Sequence, residues 1–417
     1  MLDRFAPLPR LMLYTSPAQY RRVLGDVAGR TCTTGNELDE LERTIQSKLG
    51  VANAISMPLA RVAIYATLKA LIKPGQKVIC SPYTIADVIN MIVCAGGVPL
   101  FADIERETCN INPTSIESLI DSDTGAVLVT HFYGLMCDVE RIGSICRARG
   151  VPMIEDAAQA FGASLGGRPS GTHGTAGIYS FGMYKNVNAF FGGMVVSDDD
   201  GLAARIRAEI TGWPYQSLSG YLRKVASALA TDFVTHPLVF RTLTFWLFRW
   251  AFLNGVDAIN NRLKIDVSPT IRRELPADCQ ARMMPMQARL ILNQLDGVDS
   301  AMQARIGAAI QWHEGLNGLP GLLLPPLHLD GSHAYWHFPV QFDRRHDLVA
   351  FVQRHCRDIT ESYHRNCAAL PCFEEFARAC PNAEATANSL IYLPTYPRYG
   401  AVETARTIKV IRAYFGK

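Results

Sequence analysis

Gly177–Asp198 reads GIYSFGMYKNVNAFFGGMVVSD, with one lysine, Lys185, held between two aromatic-rich turns and ahead of the glycine pair Gly192–Gly193. Ser180 lies at the end of a short apolar run of the buried-strand type, and the same type recurs upstream. PMIEDAAQA (Pro152–Ala160), AVLVTHFYG (Ala126–Gly134), PLFADI (Pro99–Ile104) and KVICSPYT (Lys77–Thr84) are all short and apolar. Amphipathic helical runs alternate with them: ELDELERTIQSKLG (Glu37–Gly50), ARVAIYATLKALI (Ala60–Ile72) and DVERIGSICRARG (Asp138–Gly150). This alternation argues for an α/β fold with a mostly parallel central sheet covered by helices on both faces. In such sheets chemistry collects at the carboxyl ends of the strands, where His131, Asp156 and Ser180 are expected.

Beyond Arg282 the pattern changes. A long helix, MMPMQARLILNQLDGVDSAMQARIGAAIQWHEGL (Met283–Leu316), leads into AYWHFPVQFD (Ala334–Asp343) and a helix-strand tail, as in a smaller C-terminal α+β domain. The expected division is an N-terminal arm (1–30), a large domain (31–283) with a hydrophobic insertion at about 212–275, and a small domain (284–417).

At 417 residues the chain can bury a substantial core without staples. Its 41 basic residues against 38 acidic ones, with no long basic run, exclude the usual footprint of a nucleic-acid-binding protein. Eleven scattered cysteines without a CxxC pair read as reduced core thiols in a reducing compartment. Prolines and arginine interrupt the N-terminal MLDRFAPLPRLMLYTS, which argues against a cleaved signal peptide and for the cytoplasmic side of the membrane.

The segment Tyr221–Asn254 (YLRKVASALATDFVTHPLVFRTLTFWLFRWAFLN) is crowded with large apolar side chains, but Pro237, Arg241 and Arg249 break it. Its charge-free stretches fall short of the roughly 20 apolar residues that a bilayer-spanning helix needs. Two readings stand: a buried helical hairpin or dimer contact, or an interfacial element with LTFWLFRWAFL inserted and arginines at headgroup level.

A lysine becomes a nucleophile when desolvation and neighbouring charge lower its pKa, and its best-known use is a Schiff base to an aldehyde cofactor such as pyridoxal 5'-phosphate (PLP). That cofactor needs a carboxylate against its ring nitrogen, for which Asp156 is the candidate, with Glu155 pointing to the opposite face of the strand. It also needs hydroxyl and backbone N–H donors for its phosphate, which Ser180 and the helix start at Ala60 can supply. Taken singly, Asp156 reads equally as an N-cap, Ser180 as a strand-end hydroxyl and Gly192–Gly193 as a turn; their joint order carries the case.

These residues resemble the sugar aminotransferases of the DegT/DnrJ/StrS type, fold-type-I PLP enzymes that make amino sugars from nucleotide-linked keto sugars. The similarity covers Thr33–Val51, Ile72–Ile104, His131–Ala163, Tyr179–Asn186, Cys279–Asp296 and Asn388–Pro397, outside the 212–275 insertion. The resemblance implies that Lys185 is the Schiff-base lysine and proton shuttle, Asp156 the ring-nitrogen partner, Gln159 a neighbour of the phenolic oxygen and Ser180 a phosphate ligand. Lys185 disfavours the family's dehydratases, which carry histidine there. The resemblance further implies a homodimer with shared active sites, glutamate as amino donor and a keto-sugar acceptor, with no metal ligand assigned.

Three positions depart from the family pattern. Leu59, Ala60 and Arg61 replace its Ser-Gly-Thr phosphate loop, so that backbone N–H groups and the Arg61 side chain remain as candidate phosphate contacts. Ile85 stands where an aromatic ring usually stacks on the cofactor, with Tyr83 nearby. Gln280 replaces the asparagine that reaches the partner subunit's cofactor phosphate.

The expected function is therefore PLP-dependent amination of a keto sugar, nucleotide-linked or, given the insertion, lipid-linked, with membrane contact through residues 222–254. The rivals are a non-catalytic PLP-fold regulator or scaffold and a PLP enzyme acting on an amino acid. His131, His337 and His364 are left between substrate contact and a hydrogen-bonded structural role.

Overall fold

The computed structural model describes residues 7–256 and 268–417, so the expected arm (1–30) and insertion (212–275) fall partly outside the described residues. Seven strands form the main sheet: β1 (Asn53–Met57), β2 (Lys77–Cys80), β3 (Val98–Phe101), β4 (Thr124–Thr130), β5 (Met153–Asp156), β6 (Ala176–Ser180) and β7 (Gly193–Ser197). Their order is β1-β7-β6-β5-β4-β2-β3. The pairs from β6 through β3 are parallel, whereas β7 runs antiparallel to both β6 and β1.

Side chains alternate between the two faces as the period-two geometry of a strand requires. Val78, Leu128, Ile154 and Ile178 pack in one hydrophobic cluster, and Ile79, Val127, Met153 and Tyr179 pack in another. Burial on both faces explains why these strands are almost uniformly apolar in sequence. Helices cover the faces, among them Glu37–Leu49, Ala60–Leu71 and Val139–Arg149, each within one residue per end of its amphipathic run in the sequence. Ten of the eleven cysteines are buried, and Cys372 is partly so.

A second sheet of three strands, β8 (Phe338–Gln341), β9 (Thr360–Glu361) and β10 (Leu390–Leu393), is antiparallel in the order β8-β10-β9. It has its own core around Trp312, Phe338, Ile391 and Leu393. The expected long helix from Met283 is instead two, Pro285–Leu292 and Val298–Leu316, separated by a 3-10 turn at Leu295–Gly297. The break has a tertiary use: Gln294 accepts from Asn188 N (3.0 Å) and donates to Asn188 O (2.9 Å), clamping the loop that follows Lys185.

The two sheets meet beside the carboxyl end of β4. Tyr133 has φ +55° and Gly134 φ +93°, and this turn pairs with the segment before β8: Ala334 N donates to Gly134 O and Trp336 N to Tyr133 O, both at 2.8 Å. A Cβ on Gly134 would lie 3.0 Å from Gln159 O and 3.1 Å from Trp336 N, so only glycine permits the approach.

The described part of the insertion is a helical hairpin. Ser217 caps the helix Leu218–Thr235 through Gly220 N, and Pro237 opens a second helical run to Leu253 that contains a π turn at Phe240–Thr244. Tyr221 donates to Ala189 O (3.1 Å), and Asp232 accepts from Tyr20 (2.6 Å) and Thr15. Phe252 lies against His346 of the helix Arg345–Arg354, ring centroids 5.0 Å apart. Among the described residues no helix is long and apolar enough to cross a membrane.

Candidate active site

Three parallel strands end side by side and deliver three polar residues to one edge of the sheet. β5 ends at Asp156, His131 follows β4, and Ser180 closes β6. Lys185 lies on the turn after β6, its N–H donating to Gly182 O (3.0 Å). Its amine sits 4.3 Å from the centroid of the Trp336 ring, and Trp336 is fixed by its own indole N–H to Tyr184 O (2.9 Å). Among the described residues the Lys185 amine has no carboxylate or carbonyl partner.

Dense surroundings desolvate this amine and lower its pKa from 10.5 to about 8, against the negative charge of Asp156, which raises it. The Asp156 carboxyl is pushed up by burial and pulled down by Ala158 N–H, Lys185, His131 and Thr130. Its hydrogen bonds are few, from Ala158 N at 3.1 Å and from the Thr130 hydroxyl at 3.4 Å. A buried carboxylate so sparsely satisfied has room for a cationic N–H partner.

Glu155, one residue earlier on β5, points to the opposite face as expected. It accepts from His131 Nε2 (3.0 Å), Gly171 N (2.9 Å) and Gly174 N (2.6 Å). Cys137 N donates to His131 Nδ1 (3.1 Å), so the imidazole proton resides on Nε2. His131 is thus fully engaged in holding two loops. Burial pushes the Glu155 carboxyl up, but the His131 and glycine bonds outweigh it and hold the group below its ordinary value.

A second polar cluster, drawn from both sheets, lies near Lys185. Tyr83 and Tyr133 share a hydrogen bond (2.8 Å), Tyr83 meets Ser362 (2.9 Å), and His364 Nδ1 meets Tyr392 (2.8 Å). Burial lowers both His337 and His364 to about 3, with Lys185 adding to the effect, so both are neutral imidazoles near neutral pH.

Anion-binding capacity lies at the start of the helix Ala60–Leu71. Its N-cap, Leu59, offers no side-chain acceptor, which leaves the first-turn N–H groups for another partner. Ser180 pairs across the sheet with Gly193, and a Cβ on Gly193 would lie only 2.6 Å from Ala60 N. The glycine therefore lets the hydroxyl of Ser180 and the N–H groups of Ala60 and Arg61 share one neighbourhood. The Arg61 guanidinium is turned away into an ion pair with Asp87, which also holds Arg272 at 3.0 Å.

Gln159 accepts from Tyr133 N through Oε1 (2.8 Å). Ile85 caps the helix Ala86–Cys94 and is only partly buried, with Tyr83 buried behind it. Gln280 lies exposed, donating to Leu275 O (3.1 Å). Sequence reasoning named Tyr83 but did not find Trp336, Tyr133 or Tyr392, because their only signal is aromatic composition on distant segments.

Similarity to known proteins agrees with this geometry. The chain is 30% identical over 312 residues to the spore coat polysaccharide biosynthesis protein SpsC of Bacillus subtilis (strain 168), spanning 75% of this chain and 69% of that protein. The fold matches the X-ray structure of an aminotransferase from Psychrobacter cryohalolentis with a TM-score of 0.77, at 21% identity over 99% of each chain. It also matches PseC of Helicobacter pylori, an aminotransferase involved in pseudoaminic acid biosynthesis, with a TM-score of 0.74 at 16% identity over 100% of this chain and 99% of that one. Residues 18–224 and 265–412 match one family throughout, and on that match the chain belongs to the DegT/DnrJ/EryC1/StrS aminotransferase family, whose members are PLP-dependent enzymes.

Proposed function

We propose that this enzyme transfers an amino group from glutamate to a keto sugar in the biosynthesis of a cell-surface polysaccharide, glycolipid or secondary metabolite, with Lys185 and Asp156 as its catalytic pair. The observation that carries the reading is a desolvated amine beside a buried, sparsely bonded carboxylate, next to an uncapped helix start.

The residues present fit PLP. Ser180 and the first-turn N–H groups of Ala60 and Arg61 would hold its phosphate, Asp156 its ring nitrogen, Gln159 its phenolic oxygen and Lys185 its aldehyde carbon. Bound there, PLP supplies an aldehyde that condenses with amines and a ring that accepts electrons from the carbon losing its proton. A Lys185 pKa of about 8 leaves a fraction of the amine neutral near physiological pH, able to attack a carbonyl carbon and to take and return a proton. Asp156 supplies the negative charge that keeps a ring nitrogen protonated. With its guanidinium tied to Asp87, Arg61 acts through its backbone alone. The exposed position of Gln280 suits a contact across a homodimer, where it would reach the partner subunit's phosphate.

A sugar acceptor is supported by the likeness to proteins named for spore coat polysaccharide and pseudoaminic acid biosynthesis. A second reading concerns the acceptor's carrier: the exposed apolar hairpin within residues 222–254 favours contact with the cytoplasmic face of a membrane and an acceptor delivered on lipid rather than on a nucleotide.

Nitrogen-labelled glutamate tests the central reading. Label should appear in an amino sugar, with one 2-oxo acid formed per transfer, in the wild type but not in Lys185→Ala. Binding of PLP without any label transfer to keto sugars would point to the scaffold, and release of carbon dioxide from an amino acid would point to a different PLP reaction.

A further inference from the structure

Nine of the fourteen exposed large apolar side chains among the described residues belong to the hairpin Leu218–Leu253. On its second helix Leu243, Trp246, Leu247 and Trp250 recur at the i, i+3, i+4, i+7 spacing of one helical face, and are 65%, 42%, 47% and 53% exposed. Phe240, Phe245 and Ala251 on the other sides of this run are buried. On the first helix Leu229 and Phe233, one turn apart, are likewise open. A folded chain rarely exposes so much contiguous apolar surface without a partner for it.

The charges around this face identify that partner. Between Leu218 and Val256 the chain carries Arg223, Lys224, Arg241 and Arg249 against a single acid, Asp232. Asp232 is spent inside the protein on Thr15 and Tyr20. Arg249 is turned onto Arg354 O, so the exposed charges of the hairpin, Arg223, Lys224 and Arg241, are all positive. In a two-fold contact between copies of this chain the same cations would face one another without anions to answer them. A bilayer rich in anionic lipid supplies both the apolar phase and the missing charge, and tryptophan is the side chain best suited to its headgroup boundary.

We propose that this hairpin seats the enzyme on an anionic membrane surface, with Trp246 and Trp250 at the interface and Arg241 at lipid phosphates. The seated face adjoins the site. Tyr184, next to Lys185, turns its hydroxyl toward Thr231 of the first helix, Tyr221 of that helix holds Ala189 O, and Lys224 lies 5.3 Å from the Phe191 ring centroid. The second helix rests on Arg345–Arg354 of the smaller domain, with Arg249 donating to Arg354 O. The hairpin thus spans from the Lys185 loop to the smaller domain, and a sugar carried on lipid would arrive beside the catalytic amine. This inference rests on the membrane-contact reading above and not on the identity of the sugar.

Flotation of the full-length holoenzyme with vesicles tests it, using phosphatidylcholine alone and an equimolar mixture with phosphatidylglycerol. The expected result is binding to the mixture only, weakened about fivefold by Arg241→Ala and about tenfold or more by the double variant Trp246→Gln/Trp250→Gln. Both variants should retain the wild-type visible spectrum, which shows that the fold and cofactor site persist. Equal binding to both vesicles would leave membrane contact standing and overturn the anionic seat. Binding to neither would overturn both. A change of the double variant to a smaller oligomer in light scattering, without a loss of vesicle binding, would assign the face to a second copy and overturn the proposal.

Discussion

Lys185 should make the cofactor-free protein less stable than the same chain without its charge. A lysine lowered from 10.5 to about 8 carries an unfavourable free energy of about 3 kcal/mol in its protonated form, at 1.36 kcal/mol per unit. The cause is desolvation, offset in part by Asp156 and by the face of the Trp336 ring. The sign follows from linkage: because the folded-state pKa is depressed, the penalty is fully present below about 8, shrinks as pH rises from there, and is gone above the unfolded value of 10.5. Lys185→Met keeps most of the length of the side chain, one atom short, and removes the charge. Urea unfolding of cofactor-free wild type and variant should show the variant more stable by about 2–3 kcal/mol at pH 7, with the curves converging towards pH 10.5. A variant no more stable than wild type at pH 7, or a gain independent of pH, would refute the claim that the amine is held desolvated.

Other positions give equally definite expectations. Gly193→Ala places a methyl group 2.6 Å from Ala60 N, which only backbone movement can relieve; it should cost about 1–3 kcal/mol in stability and weaken PLP binding about tenfold in a spectroscopic titration. Asp156→Asn removes the charge that raises Lys185, so the amine should titrate below about 8 in a pH-dependent labelling experiment, and amino transfer should fall. Glu155→Gln keeps one acceptor oxygen but turns an amide NH2 against one of the donors His131, Gly171 and Gly174, and should destabilise by about 1–3 kcal/mol at pH 7. Since Glu155 is held below its ordinary value, its contribution is present above about 4.5 and is lost as pH falls through the depressed value, so wild type and Glu155→Gln should converge in acid.

The residues that carried the sequence reading were those whose chemistry is tied to local order. Asp156 and Ser180 end buried strands, and a strand end is visible as the point where an apolar run stops. Lys185 is legible because it stands at a fixed step beyond Ser180. What escaped was set by contacts between distant segments: Trp336 over Lys185 joins residues 151 positions apart, and Tyr83, Tyr133 and Tyr392 meet only through the docking of the two sheets. Arg61 illustrates the same limit. Its place at a helix start made it a candidate for phosphate, but Asp87, on the neighbouring helix, claims its guanidinium. The break at Leu295–Gly297 was hidden because Met283–Leu316 keeps a helical pattern, whereas the two bonds from Gln294 to Asn188 decide the backbone there. In the insertion the apolar content was plain, but which side chains stay exposed depended on the docking of the hairpin.

The most direct test of the account is the visible spectrum of the holoenzyme during titration with L-glutamate, measured for wild type and Lys185→Ala. The account predicts that wild type holds PLP with visible absorption, that glutamate abolishes this absorption with release of one equivalent of 2-oxo acid, and that a keto sugar restores it, while Lys185→Ala shows neither change. A wild-type spectrum untouched by glutamate, or a Lys185→Ala protein that still exchanges the amine, would contradict it.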